Sequence, residues 1–131
     1  MIFLDSNVPM YIVGRPHPTK SRVQRLLADL LSGRDRLVTS AEVFQEIAHR
    51  YTSVGRLPAL EAAWELLHDG TDEVFPIEYE DVDRSRAVLE ANPGLSARDA
   101  LHVAIMKRYG VTRILSFDTG FDKVEGIVRL A

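Results

Sequence analysis

The sequence predicts an α/β protein whose central, mostly parallel sheet of about four or five strands is flanked by helices. Three observations lead there. Short apolar runs alternate with amphipathic stretches along the chain. Two of those runs share one grammar, "IFLDSN" near the start and "ILSFDTG" near the end, each closing an apolar segment on an aspartate, Asp5 and Asp118. The length of 131 residues, 46% hydrophobic and 27% charged, suits one globular domain over 1–131. In sheets of this kind sites form beyond the carboxyl ends of the strands. Both acids fall there.

The elements follow in order. The first strand is the run that stops at Asp5. "GRPHPT" breaks the chain from Gly14 to Thr19, and Ser21–Leu31 then puts Val23, Leu26, Leu27, Leu30 and Leu31 on one helical face. "SGRDR" turns into a strand over Leu37–Thr39. Thr39 and Glu42 have capping-box spacing, and a helix over Ala41–Tyr51 follows. Pro58 suits the first turn of the next helix, which runs to His68. "HDGTDE" turns into a strand at Val74–Ile77. The acids of "EYEDVDRS" open a helix that ends before Asn92–Gly94. Ser96 starts the most apolar helix, Ala97–Tyr109, which Gly110 stops, and strands over Arg113–Phe117 and Ile127–Arg129 complete the sheet.

Composition narrows the chemistry. With no cysteine there is no disulfide framework, thiolate metal site or thiol nucleophile. No run reaches the length of a membrane span, and Asp5 cuts the first apolar run too short for a signal peptide, so a cytoplasmic protein is expected. The net charge of -3 argues against a non-specific nucleic-acid coat, though an enzyme that gathers acids around a cation is compatible with it. There is no GxGxxG, Walker A or GxSxG sequence, and the scattered histidines offer no nucleophilic triad.

Acids remain the candidates. An aspartate closing a strand is commonly a turn or cap residue, but the repetition at Asp5 and Asp118 favours two carboxylates converging. Asp99 fits a capping box with Ser96, yet it lies on a helix apolar nearly all round, and a buried carboxylate is costly unless paired or bound to a metal. Glu46 sits at the edge of the apolar face of "AEVFQEIAHRY"; by spacing alone it reads first as a solvated helix acid. Asp122 caps the next turn or joins the site. The "EYEDVD" acids read as solvated, and His102 as a hydrogen-bonded core histidine. Four carboxylates meeting at ~5 Å would repel by roughly 3 kcal/mol per pair at an effective dielectric of about 20. A hard divalent cation removes that cost, and oxygen ligands without cysteine point to Mg²⁺ or Mn²⁺ and to phosphodiester hydrolysis.

The anchors "IFLDSN", "TSAEVFQEI", "LSARDALHVAI" and "ILSFDTGFD" resemble the PIN domain, specifically the VapC-type toxins, over essentially the whole chain. That resemblance implies a PIN-like α/β/α sandwich and a Mg²⁺- or Mn²⁺-dependent endoribonuclease that cuts structured RNA such as transfer or ribosomal RNA. It also implies a homodimer and a cognate VapB-type antitoxin. By the resemblance Asp5, Glu46, Asp99 and Asp118 form the catalytic quartet, with Asp5, Asp99 and Asp118 on the metal. Ser6 and Asp122 are supporting residues. Arg15, Lys20, Arg22, Arg25 and Arg98 are candidates for binding RNA phosphates, against an ordinary solvated helix face. Two other readings stand beside it: an antitoxin-independent RNA-processing nuclease, and a non-catalytic RNA- or protein-binding module on the same fold. A receiver-like phosphoacceptor would want a second acid beside Asp5, where Ser6 and Asn7 stand.

Overall fold

Ile2–Leu4 forms β1, and every one of its side chains is buried. A strand apolar on both faces needs cover on both, which is the pattern of a central strand in a parallel sheet. The computed structural model describes residues 1–14 and 16–131 and bears this out. β1 pairs in parallel with β2 (Leu37–Ser40) on one side and β4 (Arg113–Leu115) on the other. β3 (Glu73–Phe75) and β5 (Val128–Leu130) are the edges, so the order is β3-β2-β1-β4-β5 and every pairing is parallel. Phe3 sits between Val38 and Ile114 in register, at the centre of the core.

Between the strands run α1 (Asn7–Val13), α2 (Pro18–Leu31), α3 (Ala41–Ser53), α4 (Leu57–Gly70), α5 (Tyr79–Ala91) and α6 (Ala97–Arg108), followed by a 3₁₀ turn at Thr119–Lys123. α5 packs on α6, while α1 packs on α2 and α4, and α3 on α4. The sequence steps outward from β1 to β3, then returns across the sheet to β4 and steps outward the other way. The order therefore reverses between β1 and β4. The crevice outside their carboxyl ends is the switch point where such sheets bind ligands.

Several local readings need correction. α1 was not anticipated. Its first turn carries Pro9, its apolar residues follow no single stripe, and Val8 and Pro9 are buried. α2 starts at Pro18 rather than Ser21: Pro18 occupies the first turn, and the His17 ring accepts from the Thr19 amide at 3.1 Å. α3 begins where expected, but Ser40 is its cap residue. Thr39 instead donates its hydroxyl to the Leu4 carbonyl across the sheet at 2.9 Å, so the capping box with Glu42 does not form. At α6 only the cap half of the box forms: Ser96 accepts from the Asp99 amide at 3.1 Å, while the Asp99 side chain does not return a bond to the Ser96 amide. Just past α6, Gly110 has φ +71°, the left-handed conformation that favours glycine at a helix end. Among the described residues no helix is long and apolar enough to cross a membrane.

Candidate active site

The four acids singled out in the sequence line one open cleft of about 770 Å³ at the carboxyl ends of β1 and β4. Each arrives by a different route. Asp5 is the residue after β1, held in the ladder by its amide on the Leu115 carbonyl at 3.1 Å. Glu46 comes from the middle of α3 and Asp99 from the first turn of α6. Asp118 follows β4 and caps the 3₁₀ turn, its Oδ1 accepting from the Gly120 amide at 2.8 Å. A β-carbon on Gly120 would lie 3.0 Å from that oxygen, so glycine keeps this turn tight.

Asp5 is 3% exposed, and neutral donors hold it. The Ser6 amide donates to its Oδ1 at 2.7 Å and the Ser116 hydroxyl to its Oδ2 at 2.6 Å, with the Asn7 amide at 3.5 Å. The Asn7 side chain also donates to Ser116 Oγ at 3.2 Å. Burial pushes the Asp5 carboxyl above its usual range, against the pull of His102 and the Ser116 hydrogen bond. Ser6 donates its hydroxyl to Glu46 Oε1, which ties the loop after β1 to α3. Glu46 goes the other way. Partial burial would raise it, but His102, Ser6 and Arg98 outweigh burial and hold the carboxyl low.

Asp99 is pushed up to about 7, by burial first, then by the charge of Asp5 and the approach of Asp118, close enough to share a proton. Crowded acids that must retain protons near neutrality mark a place where positive charge is missing. His102, one turn after Asp99 on α6, is wholly buried behind them. Its Nε2 lies 3.8 Å from Asp5 Oδ1 and 3.7 Å from Glu46 Oε2, ion-pair rather than hydrogen-bond separations. Burial opposes the imidazolium, but Glu46, Asp5 and Asp99 prevail and raise its pKa. The core-histidine reading was half right: His102 is buried, but it faces the carboxylates and has no hydrogen-bond partner.

The donor set fits a divalent cation. One atom each from Asp5, Glu46 and His102 lies within 4.8 Å of the others, and Asp99 and Asp118 stand in the same cleft. The remaining expectations divide. Arg98 lines the cleft, with Nε 3.9 Å from Glu42. Lys20 donates to the Gly14 carbonyl at 3.1 Å, Arg22 and Arg25 are exposed on α2 without lining the cleft, and Arg15 lies outside the described residues. Asp122 does not reach the cleft; both its oxygens accept from Arg129, at 2.8 and 3.1 Å. Among the "EYEDVD" acids Asp81 is not solvated. It is wholly buried, 3.2 Å from Arg108.

Sequence reasoning missed Ser116, Asn7 and Arg50, and it assigned His102 to the core rather than to the site. Ser116 stands two residues before Asp118, at strand period, while His102 and Arg50 stand one turn after Asp99 and Glu46. Those spacings were available in the sequence.

A parallel α/β sheet with acids gathered at its switch point is the architecture of a metal-dependent hydrolase. A family model for the PIN domain matches residues 2–127, and the chain belongs to that family. It is 53% identical over 131 residues to ribonuclease VapC13 of Mycobacterium tuberculosis, covering 100% of both chains, and equally to a VapC ribonuclease of Mycobacterium bovis. Among solved structures, VapC20 of M. tuberculosis, a sarcin–ricin loop cleaving toxin, superposes with a TM-score of 0.80 at 19% identity, covering 95% of each chain. FitAB bound to a DNA fragment gives a TM-score of 0.73 at 20% identity, over 99% of this chain and 94% of that one. At such identities the likeness is one of fold.

Proposed function

We propose that this chain is a metal-dependent endoribonuclease, a single PIN domain acting as the toxin of a type II toxin–antitoxin pair. The carrying observation is the convergence of Asp5, Glu46, Asp99 and Asp118 on one open cleft with too little positive charge to neutralise them. The VapC ribonucleases that are 53% identical over the full chain support the activity. Structural neighbours that are toxin–antitoxin complexes support an antitoxin partner. A binding module would have no use for mutually repelling acids, two of which keep raised pKa values.

In this reading Asp5, Asp99 and Asp118 hold Mg²⁺ or Mn²⁺. Bound there, the ion supplies Lewis-acid stabilisation of charge on the phosphate and lowers the pKa of water. Ser6 fixes one oxygen of Glu46, leaving that carboxylate to orient and deprotonate the attacking water. The water oxygen bonds to phosphorus as the bond to the 3′ oxygen breaks, leaving a 5′-phosphate and a 3′-hydroxyl. Arg98 from α6 and Arg50 from α3, both lining the cleft, position neighbouring phosphates. The substrate is structured RNA of the transfer or ribosomal class. The protein works in the cytoplasm as a homodimer and is silenced by a VapB-type antitoxin.

Purified protein is expected to cut RNA internally with Mg²⁺ or Mn²⁺ and to stop when EDTA is added. Cleavage that persists in EDTA would refute the metal-dependent reading. A small, transcriptionally coupled upstream gene is expected to encode a partner whose co-expression relieves growth arrest; the lack of such a gene, or unrelieved arrest, would remove the antitoxin from the proposal.

A further inference from the structure

His102, packed behind the acids of the cleft, has no task in that mechanism. It is fully buried, and neither ring nitrogen has a hydrogen-bond partner. Buried polar side chains are almost always satisfied, and an orphaned one calls for an explanation. Packing does not provide it. Phe3 lies tilted against the ring at 5.6 Å between centroids, but any flat apolar side chain could take that place.

The direction of Nε2 is more informative. It faces Asp5 Oδ1 at 3.8 Å and Glu46 Oε2 at 3.7 Å, too long for hydrogen bonds to either. Two atoms each ~2.1 Å from a common ion stand ~3.0 Å apart at a right angle and ~4.2 Å apart when opposite. The observed separations fall between those limits. The nitrogen thus stands from each carboxylate oxygen as a fellow ligand would, the three atoms lie within 4.8 Å of one another, and the nitrogen has no hydrogen-bond partner.

We infer that His102 Nε2 is a nitrogen ligand to a cation shared with Asp5 and Glu46, so that the site is mixed nitrogen–oxygen and prefers a first-row divalent transition ion to Mg²⁺. This deepens the nuclease reading and rests on it. Imidazole suits transition ions, whereas Mg²⁺ demands hard oxygen ligands in near-ideal octahedral geometry. Glu46 then serves twice, as a ligand and as the group that orients water.

Mn²⁺ is the probe, because its electron spin reports directly bonded nitrogen. The full chain loaded with Mn²⁺ is expected to show ¹⁴N modulation in its electron spin echo. That modulation is expected to vanish in His102→Phe, with Mn²⁺ affinity falling at least the roughly 10-fold that even an outer-shell partner is worth. Mg²⁺ affinity should fall less. His102→Gln, which offers only an amide oxygen, serves if the phenylalanine variant does not fold. Two results overturn the inference: no ¹⁴N modulation in the loaded wild type, or unchanged Mn²⁺ affinity in the variant. If Asp99→Asn abolishes Mn²⁺ binding in that case, the nuclease reading survives without a nitrogen ligand. A wild type that binds no Mn²⁺ at all would sink both.

Discussion

Among the described residues two carboxylates, Asp5 and Asp81, are almost wholly buried, and they are buried in opposite ways. Asp81, near the start of α5, has a cation of its own: Arg108 on α6 stands 3.2 Å away, and the Glu78 amide donates to Asp81 at 2.8 Å in a capping box. Arg108 in turn lies over the Tyr109 ring, which stacks on Phe75 with ring centroids 3.9 Å apart. Asp5 has only neutral donors, a buried imidazole at 3.8 Å, and the like charges of Glu46 and Asp99 nearby. Desolvating a carboxylate is costly in either place. At Asp81 the arginine and the amide both meet Oδ2 and offset much of the charge from within the chain, although Oδ1 has no hydrogen-bond partner, and the result is structure. At Asp5 the chain adds more acid, which leaves the charge balance to the cation proposed above. Burial of an acid therefore does not mark a site; the sign of its neighbours does.

The contrast should break most sharply under substitution. Asp99→Asn, on the acidic side, is expected to lower RNA cleavage by roughly 10²–10³-fold or more, since an electrostatic contact to the reacting centre is lost. Its fold should be intact by circular dichroism. Wild-type cleavage rates in this variant would remove Asp99 from the site. Asp81→Asn should do the reverse. Taking one charge out of a buried pair costs about 2–3 kcal/mol with the partner still part-solvated, a fall in Tm of about 10 °C. Cleavage per folded molecule should stay near wild type, so lost activity without lost stability would contradict the division.

A smaller effect separates the two regions by pH. The Asp99 carboxyl is held at about 7 in the fold against 3.8 unfolded, so the folded state carries the extra proton between those values. Stability from that proton is present below about pH 4 and is lost as pH rises through about 7. Asp5 and His102, both raised, act in the same direction. In EDTA the Tm should therefore decline from pH 5 to pH 8, and Asp99→Asn should flatten the decline. A Tm that climbs over that range would contradict the charge crowding. The weakest effect is expected at Asp122→Ala. That side chain is an exposed partner of Arg129, and both Tm and cleavage should barely move.

Much of this was legible from particular residues. Asp5 and Asp118 declared themselves because a strand end repeats its pattern, and the sheet placed both at the switch point as parallel α/β topology requires. Asp99 stood out because it lies in the first turn of a helix apolar nearly all round. Glu46 did not stand out: on α3 its spacing is that of a surface acid, and its partners in the fold, the Ser6 hydroxyl forty positions away in sequence and the His102 ring, are both distant along the chain. Long-range partners also hid Asp81, whose arginine lies on the next helix, and Thr39, whose hydroxyl is used across the sheet. α1 escaped because a short helix with proline in its first turn and cover on several sides shows no single apolar stripe. Local grammar, then, reveals groups whose partners are local, and the fold decides the rest.

The central claim is that the acids at the ends of β1 and β4 share a cation. Crystals soaked in Mn²⁺ and measured at its absorption edge test this most directly. The account requires an anomalous peak inside the cleft, within bonding distance of Asp5 and at least one of Glu46, Asp99 and Asp118. Well-ordered crystals with no peak there, or with Mn²⁺ bound only elsewhere on the molecule, would contradict it.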